Sequence, residues 1–295
     1  MKPDKRERIR DLAAEKSAEF VDPARRSFGV LSDREALAIA DNCGCRLHDV
    51  YREALAVGIY PHRYVRNRDI VPPEAQLKLA EARVTVVGAG GLGGHVILLL
   101  ARMGIGTLVV LDHDVFDESN LNRQALSSID FVGRPKVDAA VSAVAAANPG
   151  VVVIPHATKL TLDNAVAMLK GSDVAVDALD NISDRFVLED CAKELGVPLV
   201  HGALAGFEGQ LMTIFPNDEG LILLYGSREP LVDKASAPEA VLGVPTITPA
   251  VVASLEAMEV VKIILKRGNI FRNKLVHIDL ETGRLNEFLF NGEET

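Results

Sequence analysis

The stretch VTVVGAGGLGGHV, from Val84 to Val96, decides the fold. β-Branched, mostly apolar residues run directly into a glycine cluster, and an apolar segment of helical pattern follows. A strand, a tight glycine turn and a helix in this order form the phosphate-binding unit of doubly wound α/β proteins. Gly88, Gly90 and Gly93 have the G-x-G-x-x-G spacing, and Gly91 lies between them. The first glycine of this motif makes the turn, the second admits a phosphate, and the third lets helix and strand pack closely.

Residues beyond the glycine loop strengthen the prediction of a nucleotide site. Asp112 follows the next predicted strand, at the spacing of an acid that holds ribose hydroxyls. A polar stretch, HDVFDESNLNRQ (113–124), and then GRPK (133–136) come after it. Arg123 and Lys136 are placed to reach back to phosphates, and two cations suit a triphosphate whose charge builds up as pyrophosphate leaves. A glycine turn with only a packing role, and a solvated polar loop, are the alternatives.

Strands and helices alternate from residue 83 to residue 201, which predicts βαβ units and a mostly parallel, Rossmann-like sheet with helices on both faces. The predicted strands are 83–87, 107–111, 151–154, 174–177 and 199–201, and the predicted helices are 91–103, 136–147, 162–169 and 182–195. Further on, QLMTIF (210–215) reads as a strand, residues 216–245 hold no regular element, and residues 249–266 form an apolar helix. KLVHIDL (274–280) and RLNEFLF (284–290) form a hairpin, so antiparallel strands extend the sheet.

The first 60 residues differ from the rest because they are charged and lack strand-like runs. Ser32 is a good N-cap for one helix, and a second helix ends near Gly58 after a tight turn at 42–45. A helix-turn-helix is one interpretation. A helical appendage that packs on the main domain is favoured, since no basic recognition helix stands out. We therefore predict a helical N-terminal extension over 1–60 and a main domain over 61–295.

The composition narrows the class of protein. The net charge of −9 and the pI of about 5.3 argue against a general nucleic-acid binder. No apolar run is long enough to span a bilayer, and no signal peptide follows the charged start, so we expect a cytoplasmic protein without a membrane partner. Cys43, Cys45 and Cys191 are too few for a disulfide framework. The CGC pair could be a metal or redox site, but incidental cysteines are the favoured interpretation.

From about Arg63 onward the chain resembles the ThiF/MoeB/HesA family of ubiquitin-activating-like adenylyltransferases. The matching segments follow the family's order and spacing, and the combination of the glycine loop, SNLNRQ and GRPK is specific. The segments are NRDI (67–70), GAGGLGG (88–94), LDHDVFDESNLNRQ (111–124), VGRPKVDAA (132–140), ALDN (178–181), VPLVHGALAGFEGQ (197–210) and SLEAMEVVKII (254–264).

The resemblance implies an activity. Family members activate the C-terminal Gly-Gly carboxylate of a ubiquitin-like protein, which attacks the α-phosphorus of ATP to give an acyl-adenylate and pyrophosphate. In bacteria the partner is typically a small sulfur carrier, whose adenylate becomes a thiocarboxylate for thiamine, molybdopterin or related sulfur chemistry. Positioning and charge neutralisation should dominate such a reaction.

The resemblance also implies roles for residues at matching positions. Asp112 would hold the ribose, Gly90 and Gly91 would lie against the phosphates, and Asp180 would coordinate Mg²⁺. Arg68 would be supplied to the ATP of the partner subunit, so a homodimer is implied; an ordinary solvated arginine is the alternative. The residues expected to bind the triphosphate are Asn120, Arg123, Gln124 and Lys136. Asn181 would either cap the following helix or touch the adenylate. Asp114 and Asp177 could serve the metal or the nucleotide, but the favoured interpretation is that each caps a turn at the end of a strand.

The chain departs from the family at its cysteines. Many members bind a structural zinc through two C-x-x-C pairs, but LILLYGSRE (221–229) and FLFNGEET (288–295) contain no cysteine, so no zinc is expected. Residues 216–247 also lack a cysteine, which disfavours thioester transfer, and Cys191 reads as a small buried apolar residue. Three alternatives stay open: adenylylation of a carboxylate on modified tRNA or a peptide, an NAD-binding oxidoreductase or sensor, and a scaffold whose N-terminal helices bind a partner.

Overall fold

A computed structural model describes residues 1–228 and 237–290. The chain divides into two compact units. The first unit comprises Met1–Ala82, Ala101–Thr107 and Ala145–Val152. The second unit comprises Arg83–Leu100, Leu108–Val144 and Val153–Thr295.

The first unit contains the predicted N-terminal helices. Its elements are α1 (Pro3–Lys16), β1 (Ala18–Val21), β2 (Ser27–Leu31), α2 (Asp33–Cys43), α3 (Leu47–Ala56), β3 (Tyr60–Pro61) and α4 (Pro73–Glu81). Ser32 caps α2 as predicted, because its side chain accepts the N–H of Glu35 at 3.2 Å. Gly44 ends α2 in the left-handed conformation with φ 57°, which confirms the tight turn before α3.

The prediction that the first 60 residues lack strands is wrong. Strands β1 and β2 form an antiparallel hairpin, and β3 pairs with β2 in parallel to complete a three-stranded sheet. The two hairpin strands are four and five residues long, and β1 is exposed at three of its four positions. So short and so exposed a strand carries no run of apolar residues and no alternating pattern, and its pairing partner decides its conformation.

The second unit is built on an eight-stranded sheet. Its strands are β4 (Arg83–Val87), β5 (Thr107–Leu111), β6 (Val152–His156), β7 (Val174–Asp177), β8 (Leu199–Ala205), β9 (Glu208–Ile214), β10 (Lys274–Asp279) and β11 (Arg284–Leu289). Its helices are α5 (Gly91–Met103), α6 (Lys136–Ala147), α7 (Leu162–Leu169), α8 (Ile182–Glu194), α9 (Leu221–Tyr225), α10 (Pro238–Leu242) and α11 (Ile247–Leu265).

The sheet confirms the predicted fold class. The strand order is β11-β10-β9-β8-β7-β4-β5-β6. Strand β7 pairs in parallel with both β4 and β8, whereas β9 pairs antiparallel with β8 and β10, and β10 with β11. All four residues of β7 are buried, as expected for a central parallel strand covered on both faces. A Rossmann-like sheet is thus extended by antiparallel strands at one side.

The prediction of no regular element over 216–245 is wrong in part. Two helical segments, α9 and α10, lie in this range, each five residues long. Such helices are shorter than two turns, so they leave no apolar periodicity in the sequence. Residues 229–236 of the range lie outside the described residues, as do residues 291–295 of the second cysteine-free segment.

The cysteines fit the structural interpretation. Cys191 lies on α8 and is buried in the apolar core. Cys43 and Cys45 are half-buried, and all three cysteines are free. Among the described residues, none of the helices combines the length and the apolar character needed to cross a membrane.

Candidate functional site

The candidate site lies in the second unit, where the strand order reverses between β4 and β7. From β4 the chain runs outward through β5 and β6 on one side, and it returns to β7 and β8 on the other. Ligands of open α/β sheets bind in the crevice at the carboxyl ends of strands at such a switch point. Backbone hydrogen bonds join the ends of β4, β5 and β7 at this point. The N–H of Gly88 donates to the carbonyl of Leu111 at 2.8 Å, and the N–H of Ala178 donates to the carbonyl of Val87 at 2.9 Å.

Two glycines of the loop are required by packing. Gly88 has φ 100°, and a Cβ there would lie 2.4 Å from the carbonyl oxygen of Ala178. A Cβ on Gly93 would lie 1.8 Å from the carbonyl oxygen of Gly88. Any side chain at either position therefore collides with backbone, which is the turn and packing role predicted for the first and third glycines.

The other two glycines would accommodate a Cβ at ordinary contact distances. A Cβ on Gly90 would meet nothing closer than 3.8 Å, and its nearest atoms all belong to the Gln124 side chain. A Cβ on Gly91 would meet nothing closer than 3.7 Å. Packing within the described chain does not demand a glycine at these positions, whereas close approach of a ligand would. Gly91 is also the first residue of α5, where unpaired N–H groups attract anions.

Asp112 is bound to the glycine loop. Its Oδ2 accepts the N–H of Ala89 at 2.7 Å and its Oδ1 accepts the N–H of Asp114 at 2.8 Å. Each carboxylate oxygen can accept further hydrogen bonds, so hydroxyl groups of a ribose remain within its capacity. Ligand atoms of Asp112, His113 and Asp114 all lie within 4.8 Å of one another. The carboxylates of this cluster are committed to the loop and to Lys136, so the cluster reads as part of the scaffold.

The polar segment after Asp112 is folded around a short 3-10 helix, Glu118–Asn120. The Asn120 side chain is buried and its Oδ1 accepts the N–H of Asp117 at 3.0 Å. Arg123 is half-buried, and its Nη1 donates to the carbonyl of Ser119 at 2.8 Å. This segment is therefore ordered by its own hydrogen bonds rather than being a solvated loop.

Gln124 has an unsatisfied amide. Its side chain faces Gly90, is buried, and its Oε1 has no hydrogen-bond partner in the part of the chain that the structure describes. A buried amide oxygen without a partner is costly, and in native proteins it usually marks a bound ligand or water. Gln124 and Gly90 thus define one spot where a polar ligand fits.

Lys136 is a buried cation at the start of α6. Its Nζ lies 2.9 Å from Oδ2 of Asp114, and its N–H donates to the carbonyl of Asp114 at 3.0 Å. Only 8% of the Lys136 side chain is exposed, against 51% for Asp114, so the lysine is held in place rather than free in solvent. Asp114 serves as the partner of this lysine, a role that the sequence did not predict.

Asp180 and Asn181 follow β7. Asn181 caps α8 as predicted, since its Oδ1 accepts the N–H of Asp184 at 2.8 Å. Asp180 is exposed in the turn before the cap. An exposed carboxylate at the end of a central strand fits Mg²⁺, which takes one or two protein carboxylates and completes its shell with phosphate and water.

Arg68 belongs to the first unit. It follows the 3-10 helix His62–Asn67, and its guanidinium carbon lies 4.0 Å from the centre of the Phe28 ring. This cation–π contact holds the arginine against an aromatic face.

Sequence reasoning missed a buried polar network below Asp180. Asp177 and His201 are fully buried on neighbouring strands, with His201 Nδ1 2.7 Å from Asp177 Oδ2. Arg185 on α8 and Tyr225 on α9 complete the network. Polar residues inside the otherwise apolar runs VAVD and LVHG were the available signal. Asp177 also accepts the N–H of Leu179 at 3.0 Å, which confirms the favoured capping interpretation.

A cavity of about 550 Å³ opens beside the polar segment. Asn122 lines it together with the turn between β8 and β9, the turn between β10 and β11, and the chain after α10. Its other lining residues are Ala205, Gly206, Phe207, Glu208, Leu242, Val244, Pro245, Asp279 and Glu281. The cavity is large enough for a short extended peptide segment.

The fold and this geometry define a nucleotide-binding α/β protein with its site at the switch point of the sheet. Residues 64–294 match the ThiF family. The chain therefore belongs to the ThiF family.

The curated relatives are adenylyltransferases and activating enzymes. The SAMP-activating enzyme E1 of Haloferax volcanii is 41% identical over 220 residues, which cover 74% of this chain and 80% of the relative. The sulfur carrier protein adenylyltransferase of Thermus thermophilus is 39% identical over 218 residues, 71% of this chain and 79% of the relative. The adenylyltransferase and sulfurtransferase MOCS3 of Arabidopsis thaliana is 34% identical over 233 residues, 77% of this chain but only 50% of the relative.

Solved structures agree on the fold. Escherichia coli MccB crystallised with ATP has a TM-score of 0.64 and 21% identity, over 87% of this chain and 82% of that one. A likeness at this identity supports the α/β fold described above and nothing about the substrate.

Proposed function

We propose that this chain is an ATP-dependent adenylyltransferase that activates the C-terminal Gly-Gly carboxylate of a small ubiquitin-like sulfur carrier. A carboxylate oxygen of the carrier attacks the α-phosphorus of ATP, the bond from that phosphorus to the bridging oxygen breaks, and pyrophosphate leaves with the electron pair. The observation that carries the proposal is the buried Gln124 amide oxygen, which lacks a partner among the described residues, beside Gly90, where the chain's own packing does not demand a glycine; the buried Lys136 cation lies in the same unit. Family membership and the adenylyltransferase names of the relatives support it.

Each role rests on a contact in the second unit. Asp112 holds the ribose while its backbone partners fix it to the glycine loop. Gly90 and Gly91 admit the phosphates, because no Cβ stands between them and the N–H groups of α5. The residues that bind the triphosphate and neutralise the departing pyrophosphate are Asn120, Arg123, Gln124 and Lys136. Pre-organised cations of this kind stabilise charge that develops in the transition state.

Asp180 is the proposed Mg²⁺ ligand. Its carboxylate is exposed, whereas Asp177, three residues earlier, is fully buried and already hydrogen-bonded to His201 and Leu179. The carboxylate of Asp180 is therefore available to a hard cation such as Mg²⁺, whereas that of Asp177 is not. When bound, Mg²⁺ neutralises phosphate charge; the protein orients the carboxylate that holds it. We propose no zinc site, because the expected cysteine pairs are absent from the sequence.

The carrier tail is proposed to approach through the cavity next to Asn122. A Gly-Gly terminus has no side chains, so it fits a narrow path between a turn and the nucleotide. We further propose a homodimer in which each subunit supplies Arg68 to the ATP of the other. Residues 61–295 would form the adenylation domain and residues 1–60 an accessory segment.

Trapping the acyl-adenylate tests the proposal. The chain is incubated with Mg·ATP, hydroxylamine and small Gly-Gly-ended proteins from the same genome, and the carriers are analysed by intact mass. We expect a hydroxamate at the terminal carboxylate of one carrier, dependent on ATP, and none on the same carrier shortened by one glycine. Absence of hydroxamate with every such carrier, or its formation on the shortened one, would contradict the proposed substrate.

A further inference from the structure

Arg185 is buried below the turn that carries Asp180. Arg185 is 7% exposed and lies near the start of α8. One guanidinium nitrogen donates to the carbonyl of Leu179 at 2.5 Å, and another donates to the hydroxyl of Tyr225. Its Nε lies 4.0 Å from Oδ2 of Asp177. The side chain thus joins a strand end, a turn and a second helix.

The residue before Asp180 is held on both sides. The N–H of Leu179 donates to Oδ1 of Asp177 at 3.0 Å, and its carbonyl accepts from Arg185. The peptide group that links Leu179 to Asp180 is planar, so fixing that carbonyl fixes the direction in which the chain enters Asp180. Asn181 then anchors the other side of Asp180 by capping α8.

Tyr225, the last residue of α9, connects this turn to another segment. Arg185 can only donate, so the Tyr225 hydroxyl accepts from it and its own proton is free for His201 Nε2, 3.2 Å away. His201 Nδ1 then donates to Asp177 at 2.7 Å. Burial lowers the pKa of His201, which agrees with a neutral ring that accepts at one nitrogen and donates at the other. The chain of hydrogen bonds starts and ends at the end of β7.

We propose that Arg185 and Tyr225 are positioning residues for Asp180: they set the Leu179–Asp180 peptide so that the carboxylate meets Mg·ATP. The inference rests on the proposed function in that Asp180 is the Mg²⁺ ligand. Arg185 is buried and Tyr225 is half-buried, and the network reaches the site through the carbonyl of Leu179, so it acts through Asp180. Residues that orient a metal ligand in this way typically change metal affinity by about 10- to 100-fold when they are lost.

A binding cycle tests the inference without turnover. The affinity for ATP is measured by calorimetry with Mg²⁺ and with a chelator, and the ratio of the two is the Mg²⁺-dependent gain. We compare the wild type with Tyr225→Phe, which removes one hydroxyl and keeps the ring against Phe186 and His201. Arg185→Lys keeps the charge opposite Asp177, but its single ammonium nitrogen replaces the two guanidinium nitrogens that donate to Leu179 and Tyr225. Tyr60→Phe is the matched control, since it removes a buried hydroxyl that donates to Val71 in the first unit.

We expect the gain to fall about tenfold in Tyr225→Phe and in Arg185→Lys, and to stay at the wild-type value in Tyr60→Phe. In Asp180→Asn combined with Tyr225→Phe, we expect the same gain as in Asp180→Asn alone, because both changes act on one ligand. An unchanged gain in Tyr225→Phe with a lowered melting temperature overturns the inference, since the hydroxyl would then only stabilise the fold. A wild type whose ATP affinity does not depend on Mg²⁺ overturns it too. If the variants change the Mg²⁺-dependent gain as expected but the protein forms no carrier hydroxamate, the proposed substrate is refuted and the inference about Arg185 and Tyr225 stands.

Discussion

Asp112 accepts the backbone N–H of Ala89 through Oδ2 at 2.7 Å, so the acid predicted to hold the ribose is tied directly to the glycine loop. Its other oxygen accepts the N–H of Asp114 at 2.8 Å, two residues along the chain. The Asp114 side chain in turn pairs with Lys136. One connected group of hydrogen bonds therefore sets the positions of both Asp112, the proposed ribose ligand, and Lys136, the proposed phosphate ligand.

Replacing Asp112 by Asn should weaken ATP binding. An amide has one acceptor oxygen, so it cannot serve both Ala89 and Asp114 and also receive a ribose hydroxyl. Hydrogen bonds to charged groups contribute about 1.5–3 kcal/mol, so we expect the Kd for ATP, measured by calorimetry, to rise about 10- to 100-fold. Asp130→Asn, at an exposed carboxylate, is the control. An unchanged Kd together with a lower melting temperature would reduce Asp112 to a loop anchor.

Two glycine substitutions should separate packing from ligand approach. Gly93→Ala places a Cβ 1.8 Å from the Gly88 carbonyl oxygen, so we expect a loss of more than about 3 kcal/mol in the free energy of unfolding, or no folded protein. Gly91→Ala meets nothing closer than 3.7 Å, so stability should change by less than about 1 kcal/mol. The Kd of the Gly91 variant for ATP should nevertheless rise by about tenfold or more, equivalent to about 1.4 kcal/mol. Tight binding by a stable Gly91→Ala protein would argue that no phosphate approaches there.

Glu256 should make stability fall with rising pH. It is fully buried on α11, both its oxygens lack a hydrogen-bond partner among the described residues, and burial, followed by the charge of Asp177, raises its pKa well above the usual 4.5. Between the ordinary pKa and the raised one, the folded state binds more protons than the unfolded state, so the free energy of unfolding decreases as pH increases through that window. Urea denaturation of the wild type and of Glu256→Gln over this range measures the effect.

The Glu256→Gln variant should have nearly wild-type stability at low pH, because an amide resembles the neutral acid, and a flatter pH profile. Glu259→Gln, one helical turn along, is the matched control. That carboxylate accepts from the Thr213 hydroxyl at 2.7 Å and from the N–H of Phe271 at 2.8 Å, so its substitution should cost about 1–3 kcal/mol. Parallel profiles for wild type and Glu256→Gln would contradict the assignment of Glu256 as a neutral acid.

The proposed sharing of Arg68 predicts complementation. Arg68→Ala and Lys136→Met should each be inactive alone, since each removes a cation from every site. When the two are co-expressed, half of the dimers are mixed and each mixed dimer has one intact site of two, so about a quarter of wild-type activity should return. Hydroxamate formation on the carrier provides the measurement. If Arg68 acted within its own subunit, the mixture would show no such recovery, and if Arg68 had no role, Arg68→Ala would already be active alone.

Much of the site could be read from the sequence because its signals are local. The spacing of Gly88, Gly90 and Gly93 fixes a turn whose steric reason lies within a few residues and one neighbouring strand. Asn181 directly precedes α8, the helix that it caps, so the start of this helix can be recognised from neighbouring residues. The structure added the reason why Gly90 differs from Gly93: a Cβ on Gly93 would collide with the Gly88 carbonyl, whereas a Cβ on Gly90 would make only an ordinary contact with the Gln124 side chain.

The rest depends on pairing between distant segments. Strand β1 is exposed at three of its four positions and exists because β2 lies beside it. The network of Arg185 and Tyr225 joins residues forty positions apart, so no window of sequence contains it. Glu256 is one of two acids in an otherwise mostly apolar helix, and only the three-dimensional packing shows that its oxygens have no hydrogen-bond partner in the described part of the chain. Tertiary contacts of this kind override local propensity.

The exchange of labelled pyrophosphate into ATP tests the central claim most directly, because it reports reversible formation of an acyl-adenylate. With a Gly-Gly-ended carrier and Mg²⁺, the wild-type chain should catalyse exchange, and it should stop when the carrier lacks its last glycine. Lys136→Met should lower the rate by about 10²- to 10³-fold, while Lys170→Met, at an exposed lysine after α7, should not change it. Exchange that does not require the carrier, or its absence with every Gly-Gly-ended protein of the source genome, would contradict the account.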